Sequence, residues 1–188
     1  MKAARRRWRK AQPTWERARL VFIDETGLNT KMARRYGRAP RRERCVAAVP
    51  HGHWQTSTFI AALRHDGLGA PFLIEGAVNA EVFTAYLQEV LCPELKPDDI
   101  VILDNLSTHK IPRVAELIAG RGATVRYLPA YSPDLNPIEM AFAKLKAQLR
   151  HAAARSLADL QLAVARSRAT FTPAHCQGFF RHAQYASI

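Results

Sequence analysis

The chain has 188 residues, 48% of them hydrophobic and 23% charged, a composition that suits one globular domain with a sizeable core and excludes both a disordered segment and a mini-protein. Its 28 Lys and Arg against 16 Asp and Glu give a net charge of +12, which excludes a neutral housekeeping fold. Fifteen of the basic and four of the acidic residues lie within positions 1 to 44, so eleven of the twelve net charges fall there, and a polyanionic partner is expected, nucleic acid first and an anionic membrane surface second.

Residues 1–18 are polar and basic, with Trp8 and Trp15 as the large apolar groups, and read as a linker or a short helix leaning on something else. Leu20-Val21-Phe22-Ile23 is a buried strand with carboxylates at its C-terminal tip, where Asp24-Glu25-Thr26-Gly27 turns. After a basic loop from Lys31 to Arg44, Cys45 to Val49 and Thr56 to Leu63 read as strands separated by a turn at Pro50-His51-Gly52-His53, and Pro71 to Glu75 as another. Asn79 caps a helix through Ala80 to Leu91. Ile100-Val101-Ile102-Leu103-Asp104 repeats the first device, an uninterrupted apolar run delivering an Asp. A helix near Ile111 to Ala119 leads to a strand at Thr124 to Leu128. The three prolines between Pro129 and Pro137 exclude regular structure. Ile138, Phe142, Leu145 and Leu149 form a helical stripe, Ser156 caps a helix from Leu157 to about Arg168, and Thr172-Pro173 opens a short last one.

The longest apolar strings fall far short of the roughly 20 residues that cross a bilayer. The basic start is followed by Ala11-Gln12-Pro13-Thr14-Trp15 rather than an apolar segment, so no secretory signal is expected and the location is cytoplasmic, with no membrane partner. Cys45, Cys92 and Cys176, widely spaced and without a C-x-x-C pair, read as reduced thiols, and His51 and His53 near Cys45 as a turn with two exposed histidines rather than a metal site.

An antiparallel meander running into α/β units predicts an α/β fold, a mixed five-stranded sheet flanked by helices. In such a sheet the ends of the first strand and of a neighbouring central strand can converge, bringing Asp24 beside Asp104, and a helix starting nearby adds Glu139. Clustered carboxylates repel unless a cation compensates them, and oxygen-only ligation favours Mg²⁺ or Mn²⁺. Two such ions, about 3.5 to 4 Å apart, clamp a phosphodiester for in-line displacement. The basic partner signal and the acidic site then describe one reaction, metal-dependent cleavage or transfer of a nucleic-acid strand.

Phe22-Ile23-Asp24-Glu25-Thr26, Ile102-Leu103-Asp104-Asn105-Leu106-Ser107-Thr108-His109 and, above all, the string from Leu128 to Glu139 resemble the catalytic domain of DDE transposases, in the bacterial insertion-sequence branch of the mariner superfamily. The 34 residues between Asp104 and Glu139 are the interval typical of that branch. The resemblance implies an RNase H-like fold over 19–188, preceded by a basic arm over 1–18, with Asp24, Asp104 and Glu139 as the catalytic and metal-binding triad. It implies strand cleavage at DNA element ends, 3′-OH strand transfer into target DNA, and a homodimer or an assembly with a DNA-reading N-terminal half to which the Arg-rich start is a connector. A related nuclease that only hydrolyses and an inactive DNA-binding remnant are the alternatives.

Other assignments compete with plainer ones. Asn136, Pro137 and Glu139 form a capping-box-like helix start, a role that can coexist with catalysis. Glu25 should face away from Asp24. Asn105 and His109 are supporting residues around Asp104, or else Ser107 or Thr108 caps the next helix and His109 is solvated. Tyr131 is expected to pack rather than stack on a base. Lys31, Arg34, Arg35, Arg38, Arg41 and Arg42 read as a phosphate clamp, and Lys144, Lys146 and Arg150, off the apolar stripe, as solvated charge or phosphate contacts.

Overall fold

The computed structural model describes residues 2–34, 36–49, 51 and 53–185. Five strands, β1 (Leu20–Asn29), β2 (Thr56–Leu63), β3 (Leu68–Glu75), β4 (Ile100–Leu103) and β5 (Thr124–Tyr127), form one sheet in the order β3-β2-β1-β4-β5. β2 runs antiparallel to β1 and β3, whereas β1, β4 and β5 run parallel, so this is the mixed sheet that the element order predicts. β3 lies at an edge, where Pro71 costs the sheet no ladder donor toward a further strand.

Side chains alternate across β1, and each face has its own helices. Leu20, Phe22 and Leu28 share a core with α4 (Ile138–Ala152), α5 (Leu157–Arg168) and α6 (Pro173–His182). Val21 and Ile23 share the other with α2 (Ala80–Tyr86), its π-helical continuation Leu87–Leu91, and α3 (Pro112–Ala119). Phe22 packs edge-on against Phe180 and Tyr185, at ring separations of 5.4 and 4.8 Å. Truncating such a buried ring to alanine costs about 3–5 kcal/mol. Behind the sheet, the 1% exposed Asp99 side chain receives Arg64 at 2.6 Å, tying the end of β2 to the start of β4. The predicted caps of α2, α5 and α6 form: Asn79, Ser156 and Thr172 each accept a backbone N–H.

Four expectations change. β1 continues to Asn29, so Asp24 lies mid-strand and Gly27 is no turn, because β2 supplies partners for Glu25 (Ile60), Thr26 (Phe59) and Gly27 (Thr58). Residues 45–49 form no strand: Val46 and Val49 are 85% and 68% exposed, and β1 has already taken β2 as its antiparallel partner. Pro50 and Gly52 of the expected turn lie outside the described residues. Asn136 makes no capping box, since α4 starts after Pro137 without a side-chain cap. Neither Ser107 nor Thr108 caps α3, whose start is Ile111 followed by Pro112.

The basic arm folds as α1 (Lys2–Ala11) and leans on the domain, as a short amphipathic helix should. Trp8 donates to the hydroxyl of Tyr185 at 2.8 Å, and the buried Gln12 amide to the carbonyl of Ala183 at 3.0 Å.

Candidate active site

The parallel register of β1 and β4, Leu20 with Ile100 and Phe22 with Ile102, runs the two strands together toward Asp24 in β1 and Asp104 just past the end of β4. β4 stops at Leu103, so Asp104 leaves the sheet where Asp24 is still held in it by β2. Glu139 approaches from the first turn of α4. All three line one cleft of about 400 Å³, whose remaining wall is the segment Leu128–Pro133 together with Asn105, Leu106 and Asn136.

Burial is the main reason that the Asp24 carboxyl is pushed up to about 7; the backbone N–H of Glu25 pulls it down, and the charges of Glu25, Glu139 and Asp104 push it up again. Asp24 is held by that N–H at 2.8 Å and, on its other oxygen, by the side-chain amide of Asn136 at 2.8 Å. Asn136 is the residue that sequence reasoning missed. Its place before a proline-led helix suggests a cap, whereas here the side chain turns back to β1.

His109 is 1% exposed, lies 4.2 Å from the ring of Phe83, and bonds Oδ1 of Asp104 through Nδ1 at 2.6 Å. Its Nε2 stands 3.4 Å from Oε2 of Glu25, close enough for an ion pair but without hydrogen-bond alignment. Burial opposes a charged imidazole, yet the bond to Asp104 and the neighbouring Glu25 carboxylate outweigh it and lift His109 to about 9. His109 is therefore buried between two carboxylates that favour its charged form, not a solvated residue. Glu25 faces away from Asp24, as alternation requires, and reaches this second side of the site. Asn105 is exposed at the cleft wall.

The family model described as DDE superfamily endonuclease matches residues 19–161. The chain belongs to this DDE endonuclease family. Its fold is that of Mos1 transposase, an RNase H-like fold. The Mos1 transposase paired-end complex with left transposon end matches with a TM-score of 0.72 at 18% identity, over 97% of this chain and 57% of that one. The mariner Mos1 paired end complex with Mg gives 0.71 at 18% identity over 98% and 58%, and the Mos1 Strand Transfer Complex 0.67 at 20% over 97% and 55%. The chain thus spans between 55% and 58% of these relatives. Among curated proteins no sequence matches it.

In this DDE domain the donor set suits a hard cation. It is all oxygen, its half-buried Asp24 is disfavoured as an anion by desolvation first and by the neighbouring carboxylates second, and Oδ1 of Asn136 is buried beside it without a donor. Among the described residues no three His, Cys, Asp or Glu close on a common point, so the carboxylates share the cleft without being drawn together.

The basic candidates fall into three groups. Lys31, Arg34, Lys146 and Arg150 line a second, larger cleft between the β1–β2 loop and α4, along with Tyr36 and Trp54, and Lys31 Nζ stands 4.2 Å over the Trp54 ring. Arg38, Arg41 and Arg42 are exposed on the loop, and Arg35 lies outside the described residues. Lys144 turns inward instead. Its Nζ bonds the Thr170 carbonyl at 3.0 Å and Nδ1 of His175 at 2.9 Å, and lies 4.6 Å over the Phe171 ring. Among the described residues no helix is long and apolar enough to cross a membrane.

Proposed function

We propose that this DDE endonuclease domain is the catalytic part of a DNA transposase, cutting a phosphodiester at element ends and joining the freed 3′-OH to target DNA. The observation that carries the reading is that Asp24 in β1, Asp104 just past the end of the neighbouring β4 and Glu139 in the first turn of α4 line one cleft. These three carboxylates would hold divalent ions, Mg²⁺ or Mn²⁺ and two in number, which when bound supply charge stabilisation for the attacking and leaving oxygens. Asn136 fixes the Asp24 carboxylate and His109 that of Asp104, so two ligands are oriented before substrate arrives.

The second cleft supports a path for the DNA backbone. Lys146 is seven residues beyond Glu139 on α4, about 10 Å along the helix axis, which is about three base steps of a duplex strand. Lys31, Arg34 and Arg150, with Arg38, Arg41 and Arg42 on the loop, would neutralise phosphates there. The proposed partner is DNA, the proposed assembly a homodimer or a complex with a DNA-reading N-terminal half joined through the arm at 1–18, and the proposed location the cytoplasm.

Incubating the protein with paired element ends and Mg²⁺ or Mn²⁺ tests the reading on a denaturing gel. Wild type should cleave and join, and Asp104→Ala should do neither while still binding DNA. Equal activity in the variant would sink the triad. Cleavage without joining would instead identify a hydrolytic nuclease, and binding without cleavage by wild type an inactive remnant.

A further inference from the structure

Tyr131 and Tyr36 are the exposed tyrosines, and Tyr131 is the one that lies beside the three carboxylates. Tyr86, Tyr127 and Tyr185 each give their hydroxyl to a backbone carbonyl, of Ala70, His109 and Leu135 respectively. Tyr131 is 88% exposed, contrary to the packing expected of it, and lies in the wall of the cleft that holds the three carboxylates. Its backbone has φ +53°, the left-handed region that a side chain with a Cβ enters only when its surroundings impose it.

The surroundings do impose it. On one side Leu128 is 5% exposed, with its N–H on the carbonyl of Leu103; on the other Ser132 is 5% exposed and bonds the Ala130 carbonyl. Leu135 and Asn136 are buried beyond that. Both flanks are anchored, so the strained turn holds the ring out in solvent rather than letting it collapse onto the domain. Leu106, which lines the same cleft, is 46% exposed. An aromatic ring and an apolar side chain thus share a cleft with the three carboxylates.

We infer that Tyr131, with Leu106 in the same cleft, is a nucleobase-binding position, taking by stacking an unpaired base next to the phosphate held at the triad. This inference rests on the proposed action on DNA and deepens it by assigning a base contact, which the carboxylates and the basic cleft do not provide. A base displaced from its stack exposes an apolar face, and a ring carried on an anchored backbone turn offers it an aromatic one. Every base has such a face, so the contact is tolerant of sequence.

The probe is a DNA hairpin carrying one unpaired 2-aminopurine, titrated with the full chain in Ca²⁺, which lets the carboxylates hold a phosphate without rapid cutting. Wild type should quench the fluorophore, and Tyr131→Phe and Tyr131→Trp should do the same. Tyr131→Ala, and Tyr131→Gly, which also releases the backbone strain, should abolish the quench and weaken affinity about 5- to 150-fold. The inference is overturned if Tyr131→Ala quenches and binds like wild type, or if Tyr131→Phe behaves like Tyr131→Ala. Asp104→Ala separates the two readings: it should retain the quench and lose nicking of supercoiled plasmid in Mn²⁺. Undiminished nicking in that variant overturns the catalytic reading and leaves the stacking result standing.

Discussion

The side-chain amide of Asn136 donates to Oδ2 of Asp24 at 2.8 Å, joining the turn before α4 to the middle of β1 across 112 residues of chain. The bond fixes the carboxylate relative to the helix that carries Glu139. Asn136→Ala should lower metal-dependent cleavage about 10- to 100-fold while DNA affinity is kept. Asn136→Asp should be worse, because it sets one more carboxylate against a buried one already disfavoured as an anion. Single-turnover rates beside filter-binding curves would show the split. An alanine variant that cuts at the wild-type rate means that Asp24 needs no such support.

Divalent cations should stabilise the protein in the absence of DNA. A ligand bound only to the folded state contributes about 1.4 kcal/mol at ten times its dissociation constant, and about 3–6 °C in melting temperature for a chain of this size. Mn²⁺ or Mg²⁺ titrated into a thermal melt should give that rise in wild type and little in Asp24→Asn or Asp104→Asn. An equal rise in both variants would place the bound ion elsewhere.

The two central strands could be read from sequence because an uninterrupted run such as Val21-Phe22-Ile23 or Val101-Ile102-Leu103 fits only a strand covered on both faces. The Asp at each end followed directly. The true length of β1 did not, since its last residues are strand only by virtue of their pairing with β2, and the same dependence on a partner removes the strand expected at 45–49. His109 was legible as one of two readings, a support for Asp104 or a solvated residue, and its bond to Asp104 decides for the first; Asn136 was legible only as a cap, because local spacing does not show its reach back to Asp24. Tyr131 was misjudged for a related reason: an aromatic residue packs by default, and only the strained turn shows that this one is held away from the core.

Lys144 should separate from Lys146 and Arg150 although all three share α4. Lys144→Ala removes a bond to the Thr170 carbonyl and the contact with the Phe171 ring, so a loss of about 1 kcal/mol in stability is expected. The salt dependence of DNA binding should stay as it is. Lys146→Ala or Arg150→Ala should leave stability within about 0.5 kcal/mol and reduce the salt slope by about one unit for each lost phosphate contact. Urea melts and binding isotherms across a salt series distinguish the two patterns, and a Lys144 variant with the reduced slope would return that residue to the DNA interface.

The arm should be coupled to the cleft through Asp134. Arg5 holds both oxygens of that carboxylate, at 2.7 and 2.6 Å, and Arg9 reaches one at 3.3 Å. The hydrogen bonds from Arg5 are the main reason that the Asp134 carboxyl lies below its usual range, with the charges of Arg5 and Arg9 adding to them. A carboxyl lowered in the folded state contributes its stabilisation at neutral pH and loses it as the pH falls through its lowered folded value. The pair is open to solvent, so salt should weaken it as well. Asp134→Asn should therefore lower the protection of amides in residues 2–11, measured against their intrinsic exchange rates, at neutral pH and low salt, whereas wild type should lose that protection only in strong acid or high salt. Trp8→Phe, which removes the bond to Tyr185, should add to the effect. Because Tyr185 passes that chain of bonds on to the Leu135 carbonyl, one residue from Asn136, freeing the arm should also slow cleavage. Unchanged exchange in Asp134→Asn would leave Trp8 and Gln12 as the only anchors of α1 among these contacts, and would deny the arm any hold on the cleft through its charge.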